Sequence, residues 1–421
     1  EAHVDAVLGK MEATRSRHRW WAAIGALWFG LNPVAVYATA YLIQRSMLMA
    51  TGFSLISTYC LLRMFVADHT NRRAWGLMSS AAYLLAFLSK EHAILLPAVM
   101  MTMTRLILPG QVHRAQWRRI LVPIFSGVAV LAVVRWDVLV RPYEGHAIAM
   151  LSMQEITLGR HLIDVAYPLS VITQCGLFFK YLVLWLLPLP QWMSIDMHPP
   201  FFLSVWGMAQ LVSVLGYLAW GIAGWRLLVR GGAVGLSGFA MLWPWLLFLT
   251  ELSTARFQEV FVLYRSYLWM AGLPFLLPLL LRNISSRFVR ILIPAILIGL
   301  LPLVRDRHAT FSSNMNLWSD ALEKNDLRPN VLNGRAWMYR GIARMRAGDL
   351  EGSGVDLEQA VKLDPWFAEP YGNRAVIALR QGRLGDALRD CNYALEIDPG
   401  LEVFRKNRDL IVDLMKKKNA R

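Results

Sequence analysis

Cysteine is scarce: Cys60, Cys175 and Cys391 are the only three in 421 residues, and no two stand in CxxC spacing. Neither a disulfide framework nor a zinc site follows from them. Charge is also thin, at 17% of residues against 56% hydrophobic, a balance too apolar for a soluble protein that must cover its core with polar surface. A bilayer is the natural solvent for such a chain. No basic stripe is interleaved with aromatics on a soluble segment, which argues against nucleic-acid binding. The formal charge of +15 instead sits in short Lys and Arg clusters between apolar runs, as topology determinants do. No HExxH motif or paired histidine spacing is present, so His146 and His161 read as loop residues rather than metal ligands. Residue 1 is Glu, no signal peptide precedes it, and further sequence is expected upstream.

What is present divides near Arg305: apolar runs before it, charged helical sequence after it. The expected architecture is all-α, a polytopic membrane helix bundle over 1–305 followed by a helical repeat domain over 306–421. Arg15, Arg17, His18 and Arg19 precede the run Trp20 to Leu31, which places the N-terminal stretch in the cytoplasm by the positive-inside rule. Alternation of later runs with Arg clusters then predicts nine crossings: Trp20 to Leu31, Ser46 to Leu62, Trp75 to Leu88, Ala93 to Leu108, Ile120 to Leu139, Leu203 to Leu228, Leu236 to Leu249, Phe261 to Leu281 and Val289 to Val304. The apolar run Gly176 to Leu187 does not fit that alternation. It is expected to be re-entrant or to lie along the outer interface.

The tail carries an internal repeat. Leu357-Glu-Gln-Ala-Val-Lys-Leu-Asp-Pro365 and Cys391-Asn-Tyr-Ala-Leu-Glu-Ile-Asp-Pro399 place two prolines 34 residues apart, the tetratricopeptide period. Trp337, Gly341, Ala360 and Pro365 fill the signature positions of one copy; Tyr371, Ala375, Ala387, Ala394 and Pro399 fill those of the next. Helical repeats bury their faces on neighbours, so a degenerate leading helix around Asn316 to Asp326 and a polar capping helix over Leu401 to Lys417 are expected.

Ionisable residues at membrane depth are costly and are usually paired or exposed to a wet cavity. Four groups meet that test on the outer side: Gln44 with Arg45; Lys90 with Glu91 and His92; Asp196 with His198; and Glu259 with Arg265 and Tyr267. A single polar cleft under the repeats is the economical explanation. Arginine offers a bidentate fork and lysine a point charge for phosphate oxygens, and a carboxylate can deprotonate an acceptor hydroxyl. The competing explanation is that Lys90 and Glu91 neutralise each other at a helix turn while Arg45 and Arg265 snorkel to headgroups. Residue types alone leave both open.

Longer phrases narrow the choice. Leu31-Asn-Pro-Val-Ala-Val-Tyr-Ala-Thr-Ala-Tyr-Leu-Ile-Gln-Arg45, Leu88-Ser-Lys-Glu-His-Ala-Ile-Leu-Leu-Pro97, Leu187-Pro-Leu-Pro-Gln-Trp-Met-Ser-Ile-Asp196 and Gln258-Glu-Val-Phe-Val-Leu-Tyr-Arg-Ser-Tyr-Leu-Trp-Met-Ala-Gly272 occur in the order found in the transmembrane, tetratricopeptide-repeat O-mannosyltransferase family and its bacterial relatives. The chain resembles that family over nearly its whole length, although Asn32 and Tyr264 stand where the family has histidine. The resemblance implies a GT-C glycosyltransferase that moves a sugar from a polyprenyl-phosphate donor to a protein hydroxyl. It implies catalytic roles for Glu91 and Glu259, with the family's main acidic residue falling upstream of this chain. Donor-phosphate contacts fall on Arg45, Lys90 and Arg265, and the cleft lining on Gln44, His92, Asp196 and Tyr267. Acceptor contacts fall on Trp337, Tyr371 and Asn373.

The setting so implied is a bacterial inner membrane, with lipid around the spans, a lipid-linked sugar as donor and a periplasmic protein held by the repeats. No metal site is assigned; a divalent cation beside a lipid phosphate stays open because no oxygen-ligand motif demands one. Two other functions remain open on the same residues: a non-catalytic membrane scaffold that recruits a partner through its repeats, and a ligase that transfers a whole lipid-linked glycan.

Overall fold

The computed structural model describes residues 15–41, 44–108, 165–253, 255–256, 259–280, 286–324 and 334–419. Among them the chain is all-helical, without a strand. The expected span Ile120 to Leu139, and His146 and His161, lie outside the described residues. By contact the chain divides into two units. The first runs to Pro190 and resumes from Pro199 to Arg307; the second comprises Gln191–His198 and His308–Arg421.

In the first unit, α1 (Arg15–Gly30) and α2 (Pro33–Thr39) are bent by 65°. The break has a local cause. Asn32 accepts a hydrogen bond from Val34 N–H and Pro33 opens α2, a cap and first-turn pair that starts a new helix. The Asn32 amide also donates to the Trp185 carbonyl at 2.9 Å, and α2 is buried from Pro33 to Ala38. Next, α3 (Arg45–Val66) and α4 (His69–Ser89) pair as a hairpin. Ala50, Ser54, Ala82 and Ala86 are buried, and each of Ser57 and Ser79 donates its hydroxyl to the other's carbonyl at 2.6 and 2.8 Å. Small side chains let two apolar helices approach, and the reciprocal pair satisfies both of its hydroxyls.

A 3-10 turn, Glu91–Leu95, leads into α5 (Leu96–Ile107). The following helices are α6 (Ala166–Leu186), α7 (Met208–Arg230) and α8 (Gly232–Phe248). Gly231 and Gly232, with φ of +73° and +56°, make the α7–α8 turn in a region that side chains disfavour. A Cβ on Gly238 would stand 2.2 Å from Leu228 N, so α8 rests directly on the α7 backbone. Leu211, Leu215, Leu218, Ile222, Trp225 and Val229 form an exposed stripe down α7 at the 3–4 residue spacing of one helix face.

The helices α3, α6 and α7 are long and apolar enough to cross a membrane, and the bent α1–α2 pair would make a fourth. That is the pattern of a membrane protein, with fewer candidates among the described residues than the nine crossings expected. Two expectations are corrected. Gly176 to Leu187 is no separate re-entrant piece: it is the second half of the 21-residue α6. The expected span Phe261 to Leu281 is instead a series of short pieces: a 3-10 turn Leu263–Arg265, α9 (Ser266–Met270), a 3-10 turn Leu273–Leu276 and α10 (Leu277–Leu280). Gly272 and Pro274 interrupt the hydrogen-bond ladder that an apolar composition alone suggested. Continuous helix returns with α11 (Ser286–Thr310).

The second unit is a row of helices: α12 (Asn314–Lys324), α13 (Gly334–Arg346), α14 (Leu350–Leu363), α15 (Ala368–Arg380), α16 (Leu384–Ile397) and α17 (Glu402–Asn419). The hairpins α13–α14 and α15–α16 are alike at a 34-residue offset. Gly348 and Gly382 take positive φ in the two turns. Arg340 forks onto Asp356 at 2.9 and 2.7 Å, and Arg374 onto Asp390 at 2.7 and 2.8 Å. Each arginine also lies over the ring three residues before it, Trp337 or Tyr371. Trp318, Ala321 and Ala336 form a small core to which Ile195 of the 191–198 segment adds.

Candidate functional site

The densest charged cluster described in the first unit is centred on Glu251. Its carboxylate is fully buried and meets three cationic or potentially cationic groups: His92 Nε2 at 2.6 Å, Arg265 Nη1 at 3.3 Å and Arg256 Nε at 3.5 Å. Burial works to raise the Glu251 carboxyl, but the Arg265 charge, the His92 hydrogen bond and the Arg256 charge outweigh it and hold the group well below the usual carboxylate range. Arg265 answers the same forces. Burial favours its neutral form, yet Glu251, Tyr264 and Glu259 raise it further above its already high value.

Around this centre lie more accessible groups. Arg265 Nη2 donates to Glu259 Oε2 at 2.8 Å, and Nη1 to the Glu259 carbonyl at 3.1 Å. On the opposite flank, Glu91 Oε1 stands 3.2 Å from Lys90 Nζ and 3.3 Å from His92 Nδ1, the latter a charge contact without hydrogen-bond geometry. The Glu91 side chain is 59% exposed. Partial burial pushes its carboxyl up, while His92 and Lys90 pull it further down, to below the usual range. The imidazole of His92 therefore stands between a buried carboxylate and a solvent-facing one, a line along which a proton can be held or passed.

Local structure explains the placement. Lys90 adopts extended backbone (φ −157°, ψ 130°) at the end of α4, and the 3-10 turn that follows presents residues 91 and 92. Tyr83 of α4 donates to the Ile94 carbonyl and holds that turn. The 252–266 segment is held from α6. Tyr167 donates to Leu252 O, Ser170 accepts from Arg256 N–H, Gln174 donates to Val260 O, Tyr181 both accepts from Val262 N–H and donates to Val262 O, and Trp185 donates to the Ser266 hydroxyl. Those donors and acceptors recur every three, four or seven residues, which puts them on one helix face. The Tyr181 ring stacks on Phe261 at 4.0 Å.

Of the residues expected at the site, Lys90, Glu91, His92, Glu259 and Arg265 come together here. Gln44 and Arg45 open α3, where Arg45 is exposed and, among the described residues, makes no ion pair with this cluster. Tyr267 joins an aromatic group with Phe29 and Trp185. Asp196 belongs to the second unit, where its Oδ2 lies 3.1 Å from His198 Nε2.

The three acceptor-side residues are also in the second unit. Trp337 packs on the core formed by Met338, Leu357 and Phe367. Tyr371 is buried, which pushes its hydroxyl up to about 12, and it donates to Pro365 O. Asn373 donates to Glu369 O within its own helix.

Glu251 and Arg256 were not singled out from sequence. The signal was available, since Glu251 follows an apolar run almost directly and the cost of a charge at membrane depth applies to it as to Lys90. Among the described residues no group of three or more His, Cys, Asp or Glu side chains is placed to hold a metal ion. Scans against protein-family models and searches of curated proteins and of solved structures find no match.

Proposed function

We propose that this chain is a membrane glycosyltransferase of GT-C type, related to the transmembrane, tetratricopeptide-repeat O-mannosyltransferases, and that it works in a bacterial inner membrane. The observation that carries the proposal is the convergence of Lys90, Glu91, His92, Glu259 and Arg265, drawn from two distant stretches of chain, on the buried Glu251. A charged constellation of this kind, with one carboxylate left accessible, suits a substrate that carries a phosphate and presents a hydroxyl.

In the proposed reaction the acceptor hydroxyl oxygen attacks the anomeric carbon of a polyprenyl-phosphate sugar. The new C–O bond forms as the bond from that carbon to the phosphate oxygen breaks, and polyprenyl phosphate departs. Glu91 orients the acceptor hydroxyl and takes its proton late, once the forming C–O bond has made that hydroxyl strongly acidic, with His92 and Glu251 behind it fixing its position. Lys90 and Arg265 offset the charge growing on the phosphate, and Glu259 orients Arg265. The 34-residue hairpins act as a tetratricopeptide module that holds the acceptor protein in the periplasm.

A second reading has an observation in its favour: the cluster's carboxylates meet its own cations, with Lys90 on Glu91, Arg265 on Glu251 and Glu259. On that reading the charges lock a loop onto a helix turn in a non-catalytic scaffold. Intact-mass comparison of periplasmic proteins separates the two. Cells carrying the full-length protein should show sugar-sized mass additions that disappear with Glu91→Gln, while the variant protein accumulates and unfolds like the parent. Additions that persist with Glu91→Gln remove this assignment of the base. Their absence with the parent protein favours the scaffold.

A further inference from the structure

A concave feature is lined by none of the residues of the Glu251 cluster. It is a groove of about 830 Å3 between α5, α7 and α8. Its walls are apolar: Met101 on α5 and Leu218, Ile222 and Trp225 on α7 are all exposed. The floor is prebuilt. Trp245 donates to the Tyr217 carbonyl and Tyr217 donates to the Trp245 carbonyl, both at 2.9 Å, and the Trp245 ring lies on the α7 backbone at Gly221.

Along α5 the groove extends from Ala98 to Leu108, about 15 Å at the helical rise. Among the described residues its charged lining is two arginines, Arg105 in the last turn of α5 and Arg226 one turn before the end of α7. Among the described residues, neither guanidinium meets a carboxylate. An apolar trough with two cations toward the C-terminal ends of two of its helices is amphipathic in the same sense as a phospholipid. A bare apolar face would take any acyl chain, whereas two unpaired guanidiniums select a phosphate-bearing anionic headgroup.

We propose that this groove is a binding site for an anionic glycerophospholipid, with the headgroup phosphate between Arg105 and Arg226 and an acyl chain along Leu218, Ile222 and Trp245. The site is independent of the transferase reading. It rests on the helices α5, α7 and α8 facing lipid.

Native mass spectrometry of the full chain in detergent, titrated with phosphatidylglycerol or with phosphatidylcholine of the same acyl chains, tests it. Phosphatidylglycerol should occupy one site at least about tenfold more tightly. The double variant Arg105→Gln/Arg226→Gln should lose that preference, and Arg105→Lys/Arg226→Lys should keep most of it, which separates charge from folding. Equal binding of the two lipids, or a preference that survives the glutamine pair in a protein with unchanged thermal unfolding, overturns the proposal.

Discussion

Both units bury ion pairs, but in different ways. In the second unit the pairs Arg340–Asp356 and Arg374–Asp390 recur at 34 residues, each inside one hairpin and each beneath the same aromatic position. Repetition of one geometry in successive copies is what a scaffold needs: each pair ties the two helices of its own hairpin. In the first unit the charges around Glu251 have no periodic counterpart, come from stretches 159 residues apart, and leave Glu91 facing solvent. A periodic pair is explained by the hairpin it closes. An aperiodic cluster with an accessible carboxylate has no such local explanation, and that asymmetry is why the proposal puts its chemistry in the first unit.

The largest test of the comparison is Glu251→Gln. It strands Arg265 and Arg256 beside a neutral amide, and unfolding free energy should fall by about 3–5 kcal/mol, measured by thermal or denaturant unfolding of the purified protein. A change under 1 kcal/mol would show that the cluster is far wetter than its geometry. Next come Asp356→Asn and Asp390→Asn. Each should cost about 2–3 kcal/mol, with Asp356→Asn the larger because Asp356 also meets Arg344 at 3.1 Å and the matching position of the next hairpin is Ala378; a larger loss from Asp390→Asn would break that ordering.

Acidification sharpens the contrast further. Glu251 and Glu91 are held below their ordinary range in the folded chain, so the stabilisation they give is fully present above the unfolded carboxylate value of about 4.3. It is lost as pH falls through the lower folded values. Glu251→Gln should flatten that acid limb of the stability curve, and an unchanged limb would place the titration elsewhere. The smallest effect expected is that of Gly382→Ala, at about 1 kcal/mol, from the positive φ of +75°. Gly348→Ala should match it.

What could be read from sequence followed the range of the interactions. The 34-residue spacing is written in adjacent phrases, so the likeness of the hairpins was visible before any coordinates. The cost of burying charge singled out Lys90, Glu91, His92, Glu259 and Arg265 one by one. It could not show their shared partner, because Glu251 meets His92 at a separation of 159 positions and no local pattern encodes that contact. Two readings failed for definable reasons. Charge alternation set the run from Gly176 apart from the more polar residues before it, although these belong to α6, where Ser170 and Gln174 bind the backbone of the 252–266 segment and Thr173 that of Phe202. The apolar stretch from Phe261 looked continuous although Gly272 and Pro274 divide it.

The reach of the His92–Glu251 contact also bears on how the protein is made. At about 5–20 residues per second, the ribosome releases the turn at Glu91 about 10–30 s before the carboxylate that completes it. Through that interval the imidazole has no buried anion to face, and the nascent first half must be held in an unfinished form. Translation halted between α6 and α8 should therefore leave a chain with formed helices and an open, protease-sensitive turn at residues 90–95.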